Sequence, residues 1–181
     1  MHVLVVGGTG MLQNVSKWFA KQGHYTSVIG RDIKRLKEIQ NSCDTPESVT
    51  CLAVDYHNSD ELRVKIKSSI QKNGPIQIVV AWIHSTAVDV LRIISEEIEV
   101  FSKEWELFHV LGSSAYKSGK KVRCSSLCKY YRIILGFLKE EKGSRWLTHD
   151  EIANGVMAEV QHKQREWIVG TLEPWDDRPS W

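Results

Sequence analysis

No apolar run in this sequence is long enough to cross a bilayer: the longest, Ile78 to Ile83, is far short of the ~20 residues a membrane helix requires. Charge of one sign is not in excess either. The 181 residues carry 24 Lys+Arg against 22 Asp+Glu, a net charge of +2, so neither nucleic acid nor an anionic membrane is an expected partner, and any anion binding must be local. Cysteine is sparse. Cys43, Cys51, Cys124 and Cys128 form no dense framework, and Cys124-x-x-x-Cys128 is neither a redox C-x-x-C pattern nor a zinc ribbon, so the four are read as reduced thiols. His57, His109, His149 and His162 show no metal spacing among themselves or with the cysteines, and no metal is expected. The N-terminus runs from Met-His-Val-Leu-Val-Val directly into glycines, without a basic n-region or a small-residue cleavage site, which points to the cytoplasm.

What is present suits a globular chain. A content of 42% hydrophobic against 25% charged residues at this length is read as one domain over residues 1–181 with a sizeable core. Val3 to Val6 is a short apolar, β-branched run ending at Gly7-Gly8, as in a strand buried on both faces. Met11, Leu12, Val15, Trp18 and Phe19 then follow at helical spacing up to Gly23. The alternation continues with strands at Tyr25 to Ile29, Val49 to Val54, Ile76 to Ile83 and Leu107 to Leu111. Between them lie helical stripes on Ile33, Leu36 and Ile39, on Leu62, Ile66 and Ile70, and on Val88, Leu91, Ile94, Ile98 and Phe101. Tyr130 to Leu138 reads as a sixth strand, Thr148-x-x-Glu151 as a capping box for a helix through Val160, and Trp167 to Leu172 as a last strand. Strands alternating with helices predict an α/β fold, a doubly wound parallel sheet in three α/β/α layers. Tyr116 to Lys129 reads as a basic loop or one short helix. The tail 173–181, with two prolines and two tryptophans, reads as irregular, its aromatics packing on the body or on a second copy, which leaves a homo-oligomer open.

Gly7-Gly8-Thr9-Gly10-Met11-Leu12-Gln13 sits between the first strand and the first helix, the context in which glycines let backbone approach a pyrophosphate while helix N–H groups face the anion. Here the sequence resembles the short-chain dehydrogenase/reductase family, whose smaller, atypical members begin with a G-x-x-G-x-x-G turn. Gly7 and Gly10 match, while Gln13 stands where the third glycine would be. The resemblance implies a Rossmann fold and a cofactor-binding set of Gly7, Gly8, Thr9, Gly10, Met11, Leu12, Arg31, Asp55 and Ala81. Gly30-Arg31-Asp32 looks like the segment that reads the adenosine ribose. A guanidinium at Arg31 can pair with a 2′-phosphate, so NADP is expected ahead of NAD. Asp55 matches the acidic residue placed near the adenine amino group; as a local reading it serves equally as an N-terminal carboxylate for the next helix. Ala81-Trp82-Ile83-His84 stands where the family has Asn-Asn-Ala-Gly.

The resemblance weakens at the catalytic set. Typical members carry a serine at the end of the fifth strand and, about a dozen residues on, a Tyr-x-x-x-Lys pair on a long helix. Ser113 and Ser114 occupy that strand end, but Tyr116-Lys117-Ser118-Gly119-Lys120 follows almost at once and reads as a chance match. The catalytic candidates are therefore Ser113, Ser114 and His84. Two functions follow: an NADP(H)-dependent oxidoreductase acting on a small organic substrate, and a dinucleotide-binding sensor or regulatory module without hydride chemistry.

Overall fold

The computed structural model describes residues 1–87, 89–118, 122 and 124–180. Val88 of the fourth helical stripe, Gly119, Lys120, Lys121, Arg123 and Trp181 lie outside the described residues. In chain order the elements are β1 (His2–Val6), α1 (Gln13–Lys21), β2 (Tyr25–Gly30), α2 (Ile33–Asn41), β3 (Val49–Ala53), α3 (Ser59–Asn73), β4 (Ile76–Trp82), α4 (Val90–Glu99), β5 (Trp105–Gly112), α5 (Ser114–Ser118), β6 (Cys128–Leu135), β7 (Phe137–Glu140), β8 (Gly143–Trp146), α6 (His149–His162) and β9 (Glu166–Val169). Short 3-10 turns occupy Pro46–Ser48 and Trp175–Asp177.

Seven strands form one parallel sheet in the order β3-β2-β1-β4-β5-β6-β9, with helices on both faces. It is a three-layer Rossmann fold. The period of two along each strand divides the core. Leu4 and Val6 of β1 pack with α3 and α4 through Leu62, Ile66, Ile94 and Ile98, while Val3 and Val5 pack with α1 and α6 through Val15, Phe19, Val156 and Val160. Side chains from both faces of β1 are wholly buried, which is why that run carries no polar alternation. Among the described residues, no helix is long and apolar enough to cross a membrane.

Two stretches differ from the sequence expectation. Tyr130 to Leu138 is two strands, because at Gly136 the chain leaves the sheet. Gly136 N–H donates to the Val169 carbonyl at 2.9 Å, and Phe137 exchanges two backbone hydrogen bonds with Thr171 at 2.8 and 2.9 Å. A Cβ on Gly136 would collide with the Thr171 backbone. The strand after Leu135 therefore pairs with β8 as an antiparallel hairpin, Phe137 opposite Trp146, a pairing the sequence reading did not contain. For the same reason the last strand stops at Val169, where Gly170 turns with φ 79°. The hairpin then leads into α6. There Thr148 and Glu151 close a capping box, and Arg145 holds both Glu151 oxygens at 2.8 and 2.9 Å.

The β5-to-β6 crossover is the second difference. Among its described residues the one helix is α5, which starts at Ser114 and spans five residues. Gly136→Ala is expected to destabilise the protein by about 1–3 kcal/mol, because backbone rather than a side-chain tip must give way. Gly10→Ala, with nothing within 4 Å of the added methyl, is expected to change stability little; urea unfolding of the two variants beside the wild type checks both.

Candidate functional site

In the order 3-2-1-4-5 the chain moves outward from β1 on one side and from β4 on the other, so a crevice opens at the carboxyl ends of these two strands. The glycine turn borders it. Gly7 takes φ 76°, a conformation that side chains with a Cβ rarely adopt, and a Cβ there would meet the Trp82 carbonyl at 2.7 Å. Gly8 lies against Ser16 and Val28, with Ser16 Oγ 2.8 Å from where its Cβ would stand. The tight helix-to-strand contact is thus made by Gly8, and Gln13 at the first position of α1 stays half-buried. Gly30 at the end of β2 accommodates the Thr9 methyl. Leu12 precedes α1 without any side-chain cap, whereas α2, α3 and α6 are capped by Asp32, Asn58 and Thr148. Gln13 N–H donates to the Gly10 carbonyl at 3.0 Å and Ser16 N–H to the Leu12 carbonyl at 3.1 Å, so the amides of Asn14 and Val15 are the ones in the first turn that no side chain caps. Met11 is partly buried, and Leu12 and Ala81 are fully buried.

Beyond β2, Arg31 is exposed, and the Asp32 carboxylate is engaged by the Lys34 and Arg35 amides at 2.8 and 3.4 Å. Asp55, after β3, does not cap α3; Asn58 does, accepting from Glu61 N–H at 3.2 Å. Asp55 Oδ1 instead accepts from the His57 backbone N–H at 3.0 Å and meets His57 Nδ1 at 2.8 Å. These two bonds hold its carboxyl below the usual range, with a smaller contribution from the charge of Arg31.

A hydrogen-bonded chain runs on from Asp55. His57 Nε2 lies 3.1 Å from Thr86 Oγ1, and Thr86 Oγ1 lies 3.0 Å from His84 Nδ1. A carboxylate only accepts, so His57 Nδ1 carries a proton. With His57 neutral, the Thr86 hydroxyl donates to His57 Nε2 and accepts from His84 Nδ1–H, leaving His84 Nε2 bare. With His57 doubly protonated, the bond to Asp55 keeps its direction, both bonds at the Thr86 hydroxyl reverse, and the His84 proton moves to Nε2. The Thr86 backbone N–H, 3.4 Å from His84 Nδ1, suits this second arrangement. One proton therefore switches His84 between acceptor and donor.

His84 lines a cavity of about 750 Å³ between the ends of β4 and β5. Trp82 forms one wall, its indole reaching from Gly7 to Gly112. Ser113, buried, and Ser114, exposed, also line it. The structure thus brings His84, Ser113 and Ser114 to one space beside the glycine turn. Tyr116, on α5, is 43% exposed and does not line the cavity, and its formal partner Lys120 lies outside the described residues.

Three participants carried no sequence signal strong enough to single them out. Thr86 is an ordinary loop residue until folding sets it between two imidazoles. Arg178, from the C-terminal tail, lines the same cavity as His84 and Ser113. His109, in the middle of β5, lines it too, with Nδ1 3.0 Å from the Tyr130 hydroxyl on β6. Strand alternation alone puts His109 on the face of Leu107 and Leu111, and this pattern was the one available clue. Burial, with a smaller contribution from the charge of Arg132, lowers the His109 pKa to about 4, and burial raises that of Tyr130 to about 12. Among the described residues no group of three or more His, Cys, Asp or Glu is placed to hold a metal ion.

Neutral His109 gives the protein a pH signature. The unfolded chain takes up this proton near pH 6.5 and the folded one only near 4, so stability is full above 6.5 and falls as the pH drops from there to 4. Between pH 7.5 and 5.0 the loss is expected to be on the order of 2 kcal/mol. His109→Asn is expected to remove that part of the slope in urea unfolding, leaving the same-sign contribution of buried His2.

No protein-family model and no curated protein matches this chain. Solved structures do. A short-chain dehydrogenase from Bacillus anthracis str. 'Ames Ancestor' superposes with TM-score 0.74 at 15% identity, covering 95% of this chain and 95% of that one. A short-chain dehydrogenase/reductase, glucose/ribitol dehydrogenase, from Brucella melitensis gives TM-score 0.71 at 14% identity over 92% of this chain and 93% of that one. A 3-ketoacyl-(acyl-carrier-protein) reductase from Brucella melitensis, complexed with NADH, gives 0.68 at 14% over 93% and 96%. At such identities the likeness is one of fold, and in that respect the result is plain: this chain has the Rossmann fold of the short-chain dehydrogenases/reductases.

Proposed function

We propose that the protein is an NADP(H)-dependent oxidoreductase acting on a small organic substrate. The observation that carries this reading is the glycine turn, open at Gly10 and followed by the uncapped amides of α1, beside a cavity that holds proton-carrying side chains. The residues fit a dinucleotide. Backbone at Gly10 can approach a pyrophosphate without a Cβ in the way, the α1 amides meet its charge, and the Trp82 indole offers a flat wall on the cavity side. When bound, a nicotinamide supplies or accepts the hydride.

The preference for NADP rests on Arg31. The Asp32 carboxylate beside it is committed to capping α2, so the free side chain at the end of β2 is a guanidinium, which suits a 2′-phosphate better than a ribose hydroxyl. Asp55 keeps Oδ2 for a polar ligand group, since the contacts to His57 use Oδ1. His84 holds or takes the proton at Nε2, and Thr86, His57 and Asp55 resupply it from the surface. Ser113 and Ser114 offer hydroxyl donors to the substrate oxygen. Tyr130 does not act as the acid, because burial holds its hydroxyl near 12 and His109 already engages it. The membrane-free, small-molecule partner set read from the sequence belongs to the same proposal.

Titration with NADPH and with NADH, read by tryptophan quenching and by melting temperature, tests the cofactor. NADPH is expected to bind about tenfold or more tightly than NADH; Arg31→Ala is expected to erase that difference, and Gly10→Val to weaken both without unfolding the protein. His84→Gln is expected to lower turnover at least ~100-fold with NADPH affinity unchanged. Binding without turnover of any carbonyl or alcohol would favour the sensor reading, and no binding of either nucleotide would overturn the proposal.

A further inference from the structure

Among the described residues that line the cavity beside the glycine turn, one carries a fixed charge. Its described lining residues include no carboxylate, and its walls are mostly apolar, among them Trp82, Ile83, Leu91 and Leu111. His109 is neutral at physiological pH, with a pKa near 4. The remaining charge is the guanidinium of Arg178, which no ion pair or hydrogen bond to any described residue neutralises. Arg178 is half-buried, and with no carboxylate among the described lining residues a ligand carboxylate meets no competing acceptor there.

Arg178 is also held in position. Its guanidinium carbon sits 4.4 Å from the Trp175 ring centre and 5.9 Å from that of Trp146 on β8, and Lys117 of α5 covers Trp175 at 4.0 Å. The preceding residue fastens the tail to the hairpin, Asp177 pairing with Lys139 at 2.7 Å and its carbonyl accepting from the Ser144 hydroxyl. These contacts fix the planar fork before any ligand arrives. They leave its N–H groups without an acceptor among the described residues, the arrangement that favours a carboxylate over a neutral polar group.

We propose that Arg178 makes the cavity selective for a small carboxylic acid with an apolar body, in which the carbonyl or hydroxyl that reacts lies close to the carboxylate. A carboxylate, carrying one charge, matches one guanidinium; a phosphate dianion would leave negative charge uncompensated among apolar walls. Ser113 and His84 line the same cavity and offer a hydroxyl and an imidazole for the second oxygen of the same molecule. The reacting carbonyl rests on the oxidoreductase reading above, while the preference for an anion does not.

The test compares benzoylformate and 4-methyl-2-oxopentanoate with their methyl esters, which keep the apolar body and lose the charge. Binding is read by tryptophan fluorescence and thermal shift without nucleotide, then by NADPH oxidation. At least one acid is expected to bind about tenfold or more tightly than its ester. Arg178→Gln is expected to bring acid and ester to the same affinity with the melting temperature of the free protein retained. Arg178→Lys is expected to restore part of the difference, and KM for the acid is expected to rise more than kcat falls. Equal binding of acid and ester by the wild type, no binding of either acid, or discrimination unchanged in Arg178→Gln would each overturn the inference. Tight acid binding without NADPH oxidation would count against the oxidoreductase reading and support Arg178. Oxidation of NADPH with acid and ester alike would do the reverse.

Discussion

The central strand β1 is buried on both faces and bonded on both edges, so the chain can leave it only at its carboxyl end and must turn at once to enter α1. Gly7 makes that exit with φ 76°, close against the Trp82 backbone. A Cβ at this point would push β1 and β4 apart. The rest of the edge follows from the turn: Gly8 admits Ser16 of α1, Thr9 rests on Gly30 of β2, and the open backbone at Gly10 faces outward. One backbone conformation thus sets both the packing of the first crossover and the shape of the crevice above it.

The shortness of α5 has the opposite effect, because it removes material that the fold would otherwise supply. Without a long helix after β5, the described residues of that crossover that line the cavity are only Ser113, Ser114, Ala115 and Val122, none of them an acid, a base or a fixed charge. Groups from elsewhere border the space instead. His84 comes from the end of β4, connected through Thr86 and His57 to Asp55 after β3, and Arg178 comes from the tail, docked on a hairpin that begins where Gly136 leaves the sheet. The proton-carrying groups and the fixed charge therefore belong to separate parts of the chain. The proposed chemistry divides along the same line, with proton transfer at His84 and substrate charge at Arg178.

Much of the architecture was legible in the residues. The apolar run of β1, the glycines that end it, the helical stripes of α1, α3 and α4 and the Thr148–Glu151 capping box all rest on short-range periodicity or local hydrogen bonding. The structure keeps each within a few residues of its expected place. Tyr130 to Leu138 was not legible as two strands, since nothing local forbids Gly136 from continuing a strand. The break is imposed by Thr171, far along the chain. The reading of Asp55 shows the same limit, for a carboxylate shortly before a helix fits a cap by sequence, and only the approach of His57 takes it away from that role.

By itself, then, the sequence determined the layered α/β class, the glycine turn at the end of the first strand and the serines and histidine at the ends of the fifth and fourth. These depend on periods of 2 and 3.6 and on conformations that only glycine adopts readily. Tertiary structure alone decided that His84 shares a proton path with His57, that His109 is neutral against Tyr130 and that Arg178, stacked on Trp175 and near Trp146, borders the cavity. The physical reason is that charge and proton state depend on burial and on partners distant in sequence, and neither exists until the sheet, the hairpin and the tail have closed around the same space.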